Sequence, residues 1–275
     1  MQDIFVVKES GEREKYRQQK VRHALKRIGL SENETAEVLH ELEKRLYEGM
    51  TTKKIYAILY EIIENRKPEL SHRYNLKRAL FEIGPDGYSF ETFISRLLEL
   101  NGYETKLRQI VKGKCINHEI DVVATKNDKT YMIECKFHNQ PGTRCRVQTI
   151  LYVHSRYLDL REGTKKGYCC KFDKPWLITN TKFSEDVRSY AECMELPLLG
   201  WRYPAKNSLE VMVDKSKCYP ITVINMNNDT LRKLLSKDIV TVYDIPENAN
   251  KLANITSVPI SIAKQIVEKA AYARD

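Results

Sequence analysis

The hydrophobic positions along the chain change their period twice, and the changes divide it into three predicted modules. Residues 1–86 open with a short apolar, β-prone segment and continue with apolar residues at helical spacing. Ser31 followed by Glu34 has the pattern of a capping box, and Thr52 precedes another apolar stripe, so we expect Ser31 and Thr52 each to cap a helix. Glycine and proline at 84–87 mark the end of the module. The pattern predicts an α-helical bundle with a small β-hairpin lid.

The second module, residues 87–214, mixes helical and strand periods. An amphipathic helix is predicted over 90–100, and three β-prone segments follow it, the last two joined by a hairpin turn at Asn127 and Asp128. The later elements are a helix over 147–160, a strand over 176–179 and a helix over 184–195. This mixture predicts a mixed α/β sheet domain.

The third module, residues 215–275, contains short helical patterns separated by turns, which predict a small helical module. The fold class expected for the chain is therefore mixed. It combines an N-terminal helical bundle, a central mixed sheet and a few C-terminal helices.

Composition limits the classes of protein that the sequence fits. The chain has 275 residues, of which 42% are hydrophobic, and no apolar run reaches the roughly 20 residues that span a bilayer. The first residues lack the apolar core and cleavage site of a secretory signal. The seven cysteines are odd in number and include no C-x-x-C pair, which argues against a disulfide framework and against a zinc site. We therefore expect a cytoplasmic protein that has no membrane partner.

The net charge of +9 is spread along the chain, with +2, +4 and +3 on the three predicted modules. Distributed positive charge favours attraction to a polyanion such as nucleic acid, and it is equally typical of a solvated surface. Charge alone does not choose between these interpretations.

The candidate chemistry lies in the β-prone part of the second module. Alternation along a strand puts Glu134 and Lys136 on one face, and the predicted hairpin brings Asp121 from the neighbouring strand. Two converging carboxylates suit Mg²⁺, and an adjacent lysine can activate water or offset charge on a phosphate. The alternative is an exposed cross-strand pair with Asp121 capping a strand. The apolar residues around the carboxylates favour a site, since an isolated buried charge is costly.

Three segments of this module, FETFISRLLELNGYE, NHEIDVVA and YMIECKFHN, together resemble the PD-(D/E)xK nucleases, in particular the Mrr-like restriction endonucleases. The resemblance covers residues 88–200 and implies a restriction-endonuclease-like sheet. It implies Asp121 and Glu134 as ligands of Mg²⁺ or Mn²⁺ and Lys136 as the catalytic lysine. It also implies Glu91, on the preceding helix, as an assisting carboxylate.

Other residues near this motif remain open between a functional and an ordinary role. Gln148 and Tyr152 match the Q-x-x-x-Y element of some nucleases of the superfamily, whereas Tyr152 is also expected as a core residue. His118 and His138 flank the motif, and each is expected either to contact a phosphate or to be a surface histidine at a strand end.

The first module resembles the ATP-cone, the regulatory nucleotide-binding domain of ribonucleotide reductases, through VVKESGEREKYRQQKVRHALKRIGL, EGMTTKKIYAILYEII and HRYNLKRAL. The resemblance implies ATP or dATP as a regulatory ligand, contacted by Lys8, Glu14, Lys20 and Thr52. No Walker-type glycine loop is present, so hydrolysis of the nucleotide is not implied. The alternative is a helical bundle with solvated lysines.

The third module resembles helix-hairpin-helix or SAM-like modules, with Ser257-Val258-Pro259 at the place of the hairpin glycine. A DNA-backbone contact and a packing or dimerising role both remain open. Taken together, we expect a metal-dependent nuclease acting on nucleic acid, DNA above all, that is regulated by adenine nucleotide and forms a homo-oligomer. The alternative is a nucleotide-responsive DNA-binding regulator with an inactive nuclease fold.

Overall fold

The computed structural model describes residues 4–8, 10–84, 87–140 and 142–274. The chain divides into two compact units, Met1–Leu76 and Lys77–Asp275. In the described ranges, no helix is both long and apolar enough to cross a membrane. The turn predicted at 84–87 includes residues 85 and 86, which lie outside the described residues.

The first unit is a helical bundle with a two-stranded antiparallel sheet, as predicted. Its elements are β1 (Phe5–Val7), β2 (Arg13–Lys15), α1 (Gln18–Arg27), α2 (Glu32–Glu43), α3 (Thr52–Arg66) and α4 (Pro68–Phe81), which crosses into the second unit. Aliphatic side chains such as Leu25, Leu42 and Ile62 form the core of this unit. Because these residues recur at helical spacing, they lie on one face of each helix, and that face is buried in the core.

One of the two predicted helix caps is confirmed and the other is wrong. The Ser31 hydroxyl accepts from the backbone N–H of Glu34, and the Glu34 carboxylate accepts from the N–H of Ser31 at 2.8 Å, which is a complete capping box. Helix α3 is capped by Thr51, whose hydroxyl accepts from the N–H of Lys54 at 3.1 Å. Thr52 is instead the first residue of the helix, because the extended backbone that a cap requires occurs at Thr51.

The second unit is built on a five-stranded mixed sheet in the order β3-β4-β5-β7-β9. Its first elements are α5 (Tyr88–Leu100), β3 (Glu104–Lys112), β4 (Asn117–Lys126), β5 (Lys129–Lys136), β6 (Arg144–Cys145), α6 (Val147–Lys165), β7 (Lys174–Thr179), β8 (Lys182–Phe183), α7 (Glu185–Cys193) and β9 (Leu198–Leu199). Strands β3, β4 and β5 pair antiparallel, whereas β5, β7 and β9 pair parallel. The mixed α/β sheet is therefore confirmed.

Two connections of the sheet determine which strands lie beside β5, the strand that carries Glu134 and Lys136. Asn127 and Asp128 form the predicted hairpin between β4 and β5, and both have positive φ angles, as a tight two-residue turn of this kind requires. Helix α6 lies in the crossover between the parallel strands β5 and β7, as such a connection requires. The carboxyl end of β5 is thereby placed beside the carboxyl end of β7.

The described residues that follow β9 contain the helices α8 (Leu209–Ser216), α9 (Asn228–Leu235), α10 (Ala249–Thr256) and α11 (Ile260–Arg274), together with the short 3-10 helices Ile221–Val223 and Val242–Asp244. Helix α8 runs through residue 214, where the sequence placed a boundary. Between α10 and α11, Ser257 has a φ of +55°, so a serine takes the left-handed conformation usual for the glycine expected there.

Candidate functional site

The candidate site lies where β4 and β5 reach one end of their ladder. Val122 pairs with Ile133, and Asp121 and Glu134 are the next residues outward on the two strands. Strand alternation keeps Lys136 on the same face of β5 as Glu134. The structure therefore brings Asp121, Glu134 and Lys136 together, with Lys136 exposed and Glu134 largely buried.

Asp121 is held by the neighbouring strand. One of its carboxylate oxygens accepts a hydrogen bond of 2.7 Å from the backbone N–H of Cys135, the residue between Glu134 and Lys136. The Cys135 side chain is buried on the opposite face of β5. This contact fixes the carboxylate beside the segment that carries both other residues.

Arg156, on α6, is a member of the site that sequence reasoning missed. Its guanidinium donates to Glu134 Oε2 and to the backbone carbonyl of Glu119, and it lies 5.2 Å from the centre of the Tyr152 ring. The residue is 8% exposed. One signal was available, since Gln148, Tyr152 and Arg156 recur every four residues and so share a helix face.

Glu91 approaches the site from α5. Its Oε2 accepts from Arg108 Nε at 3.0 Å, and Arg108 also donates to the Thr92 hydroxyl at 2.9 Å and to the Tyr88 carbonyl at 3.0 Å. Arg108 is in the middle of β3, yet its φ is +50°, a left-handed conformation that is strained for arginine. Glu91 is therefore held by a partner whose own backbone is unusual.

Burial dominates the electrostatics of the three carboxylates. It raises the pKa of Glu134 to about 7, with a further increase from Asp121 that Arg156 and Lys136 oppose. Burial also raises the pKa of Asp121, against the N–H of Cys135 and the charge of Arg156. The pKa of Glu91 is raised by burial and then by Asp121. Buried carboxylates whose negative charges repel one another are destabilised in their charged forms. A cation bound between them offsets that repulsion.

Asp121 and Glu134 offer carboxylate oxygens, which are ligands that Mg²⁺ and Mn²⁺ prefer. In proteins, Mg²⁺ is often held by one or two carboxylates and keeps several waters, so this pair of residues fits such an ion.

Comparisons with known proteins agree with a restriction-endonuclease-like fold for the sheet domain. Residues 85–199 match a restriction endonuclease family model, and residues 219–272 match a model described as AF1548-like, C-terminal. An uncharacterized protein of Archaeoglobus fulgidus is 37% identical over 177 residues, covering 64% of this chain and 97% of that protein. The crystal structure of a protein of unknown function, AF1548, is also 37% identical, with a TM-score of 0.58 over 68% of this chain and 97% of the other. The chain belongs to the AF1548-like family.

The restriction endonuclease match in this AF1548-like chain includes Glu91, Asp121, Glu134 and Lys136, together with Arg156. The resemblance to restriction endonucleases is thereby confirmed for this part of the chain. Neither family match reaches residues 1–84, so the ATP-cone resemblance stays a prediction.

The two flanking histidines have structural partners. His118 is 7% exposed and its Nε2 lies 2.9 Å from Asp159 Oδ2, so it is not a surface histidine. The backbone of His138 is clamped by Asn180, which accepts from its N–H at 2.9 Å and donates to its carbonyl at 2.8 Å. Burial, with a smaller effect of Lys136, lowers the pKa of His138.

Tyr152 is not a core residue, contrary to the expectation from its position in a helix. Its side chain is 57% exposed, and Gln148 on the preceding turn is exposed as well. The core-facing side of α6 is formed instead by residues such as Ile150, Val153 and Leu160. Tyr152 therefore lies at the surface beside Arg156.

In the first unit, three of the four predicted nucleotide-contacting residues lie together. Glu14 accepts from Lys20 at 3.0 Å and lies 3.4 Å from Lys8, which also pairs with Glu12 at 2.9 Å. The hydrogen bond from Lys20 lowers the pKa of Glu14, and Lys8 lowers it further. Thr52 begins α3, one residue after Thr51, which forms a bridge with Val7 beside Lys8.

Proposed function

We propose that this protein is a metal-dependent endonuclease that hydrolyses phosphodiester bonds of nucleic acid, with DNA as the expected substrate. The observation that carries the proposal is the convergence of Asp121, Glu134 and Lys136 at the point where the pairing of β4 with β5 ends. All three lie within the segment that matches a restriction endonuclease family model.

Asp121 and Glu134 are the residues that would hold Mg²⁺ or Mn²⁺, because both offer carboxylate oxygens on the same side of the β4–β5 pair. When bound, such an ion polarises the phosphate and neutralises the charge that develops on it. Lys136 is exposed on that face, so its ammonium can orient an attacking water and offset charge on the reacting phosphate.

Glu91 is assigned a supporting role. Burial raises the pKa of Glu91, and the charge of Asp121 raises it further. The Arg108 hydrogen bond holds Glu91 toward that side of α5. We infer that Glu91 helps to set the charge of the site and to order the waters around a bound ion.

The test is a cleavage assay of the full-length protein with Mg²⁺ or Mn²⁺ on single-stranded and double-stranded DNA and RNA. The wild type is expected to cleave, and Lys136→Ala is expected to abolish cleavage while retaining nucleic-acid affinity, which arises from many contacts. Lys129→Ala is a matched control, because Lys129 is an exposed lysine at the opposite end of the same strand. Undiminished turnover by Lys136→Ala overturns the assignment.

The alternative is a DNA-binding regulator with an inactive nuclease fold. It predicts nucleic-acid binding without cleavage under any of these conditions. The presence of both carboxylates and the lysine favours the enzyme, since a protein that only binds DNA needs no such group where two of its strands separate.

We also propose that adenine nucleotide, ATP or dATP, binds the first unit and regulates the nuclease. The supporting observation is the cluster of Lys8, Glu14 and Lys20 close to the start of α3. Lys8 and Lys20 supply two ammonium groups for a triphosphate, which would replace Glu12 and Glu14 as their partners. Cleavage measured with and without ATP and dATP tests the regulation. Sedimentation measures the oligomeric state and so tests the predicted homo-oligomer, and its change on adding nucleotide shows whether that state depends on the ligand.

A further inference from the structure

We propose that Arg156 is a positioning residue that fixes the two metal-binding carboxylates relative to each other. The inference deepens the proposed function and rests on it, since it concerns Asp121 and Glu134 as ligands. Nothing in the motif that suggested the nuclease includes an arginine on the crossover helix. The geometry of the guanidinium carries the argument.

The two terminal nitrogens of Arg156 reach different strands. One donates to Glu134 Oε2 on β5, and the other donates to the Glu119 carbonyl on β4, two residues before Asp121. Because guanidinium is planar, its two nitrogens have a fixed separation and direction. A single side chain from α6 therefore sets the spacing of the two strands at the point where each carries a candidate ligand.

The bond to Glu134 also fixes how that carboxylate is turned. Arg156 engages Oε2, which leaves Oε1 as the oxygen that Glu134 offers to a cation. Carboxylates that bind metals are commonly held by a second hydrogen bond of this kind, and removing the outer partner typically weakens metal affinity. Arg156 is thus an outer partner of Glu134.

Burial restricts the geometry of the ion pair between Arg156 and Glu134. Arg156 is 8% exposed and the Glu134 side chain 17%, so neither charge has much water available as a substitute partner. The exposed Tyr152 ring covers the guanidinium at 5.2 Å, which restricts it on another side. A buried arginine with both nitrogens engaged has little freedom to rotate.

The test is calorimetric titration of Mn²⁺ into the full-length wild type and into Arg156→Gln, Arg156→Lys and Arg161→Gln. Arg156→Gln is expected to weaken Mn²⁺ binding by about tenfold or more. Arg156→Lys keeps the charge but lacks the planar fork, so it is expected to restore less than half of that loss on a logarithmic scale. Arg161→Gln is the matched control, since Arg161 is on the same helix and its side chain is 52% exposed.

The comparison of glutamine and lysine separates positioning from simple charge. Wild-type affinity in Arg156→Lys means that only the charge matters, and it overturns the inference. Affinity within twofold of wild type in a folded Arg156→Gln overturns it as well. Cleavage by both variants is expected to recover in part at high Mn²⁺, because a higher concentration compensates for weaker binding by misplaced carboxylates. An unfolded variant would not recover.

The result for the wild type distinguishes failure of the proposed nuclease function from failure of the positioning role of Arg156. If the wild type binds no Mn²⁺ and cleaves nothing, the proposed function fails and the role of Arg156 fails with it. If the wild type binds and cleaves while the Arg156 variants match it, only the positioning role is overturned. Thermal unfolding of each variant confirms that a folded protein is being titrated, and Arg156→Lys carries the test if Arg156→Gln does not fold.

Discussion

The carboxylate of Asp121 accepts a hydrogen bond of 2.7 Å from the backbone N–H of Cys135. Cys135 separates Glu134 from Lys136, so a side chain of one strand fixes the backbone between two candidate functional residues of the next. The carboxylate nevertheless remains in an unfavourable environment, because burial raises its pKa. Any hydrogen-bond acceptor at position 121 can make the contact with the Cys135 N–H. The negative charge of the Asp121 carboxylate is not needed for that contact.

This combination predicts that Asp121→Asn separates stability from activity. Asparagine keeps an acceptor for the Cys135 N–H and removes the buried charge, so we expect a free energy of unfolding at least equal to that of the wild type. Cleavage is expected to fall by orders of magnitude, since the amide is a poorer ligand for Mg²⁺. Urea denaturation and the cleavage assay, run on the same preparation, check both outcomes.

Asp121→Ala is the matched variant for the structural contact. It removes the charge and the acceptor together, and an unpaired buried N–H costs about 1–3 kcal/mol. We therefore expect Asp121→Ala to be less stable than Asp121→Asn by about that amount. Equal stability of the two variants contradicts the importance of the Cys135 contact.

Local pattern was enough to predict one half of the site. Alternation with a period of two put Glu134 and Lys136 on one face, and the Asn127-Asp128 turn fixed the register that brings Asp121 beside them. Both are properties of neighbouring residues. They can be read from the sequence because a hairpin is a local structure.

The other half depends on contacts between distant segments. Arg156 contacts β4 and β5 because α6 packs against them in the folded protein. The residue pattern of α6 does not predict which strand the guanidinium contacts. The left-handed backbone of Arg108 lies inside a segment that reads as regular strand. The burial of His118 was not evident from its sequence neighbours, because its partner, the partly buried Asp159, lies 41 residues away.

The two hydrogen bonds between Asn180 and the backbone of His138 predict a second positioning effect, on Lys136. Asn180 is 1% exposed, and its amide satisfies both the N–H and the carbonyl of His138. Asn180→Ala is expected to lower the free energy of unfolding by about 1–3 kcal/mol, because two partly buried backbone groups of His138 lose their partners. It is also expected to lower kcat more than nucleic-acid affinity. Urea denaturation and single-turnover cleavage provide the measurements, and Asn207→Ala, at an exposed position, serves as the control.

Arg108 offers a test of backbone strain beside the site. Its φ of +50° is accessible to glycine at little cost but is strained for alanine. Arg108→Gly and Arg108→Ala both remove the partner of Glu91, so their difference reports the backbone alone. We expect Arg108→Ala to be less stable than Arg108→Gly by about 1 kcal/mol, measured by urea denaturation. The reverse order contradicts a left-handed conformation at this position.

Asp159 predicts a pH dependence of stability. Its hydrogen bonds, first to His118 and then to Cys115 and the backbone N–H of Ile116, lower its pKa to about 2. An unfolded aspartate titrates near pH ~3.9, so the folded protein binds fewer protons than the unfolded chain between these values. The stabilisation is complete above about pH 4 and is lost as the pH falls toward 2.

Asp159→Asn is therefore expected to be less stable than the wild type at pH 6, with the difference shrinking as the pH falls from 4 to 2. Urea denaturation at a series of pH values measures it. Asp186→Asn, an exposed aspartate on α7, is the control and is expected to show a much smaller change. A difference that stays constant between pH 6 and pH 2.5 contradicts the role of the Asp159 charge.

The cluster around Glu14 predicts how the first unit responds to nucleotide. Lys8 and Lys20 lie 3.4 Å and 3.0 Å from the Glu14 carboxylate, and all three side chains are at least partly exposed. A triphosphate that binds here replaces the carboxylates of Glu12 and Glu14 with several phosphate oxygens as the partners of the two lysines. Lys8→Ala and Lys20→Ala are each expected to weaken ATP binding by about tenfold or more, since a charge-assisted hydrogen bond contributes roughly 1.5–3 kcal/mol.

Calorimetric titration of the full-length protein with ATP, dATP, ADP and AMP measures these affinities, with Lys44→Ala as the control at an exposed lysine of the same unit. Folding should be unaffected, because surface ion pairs contribute little to stability. The expected order is ATP or dATP above ADP above AMP, since each phosphate lost removes charge that faces the two lysines. If the wild type binds none of the four nucleotides, Lys8, Glu14 and Lys20 are a solvated ion-pair network and the first unit has another role. If it binds them and the two variants bind equally well, the nucleotide lies elsewhere in the protein, because no phosphate can contact this cluster without depending on its lysines.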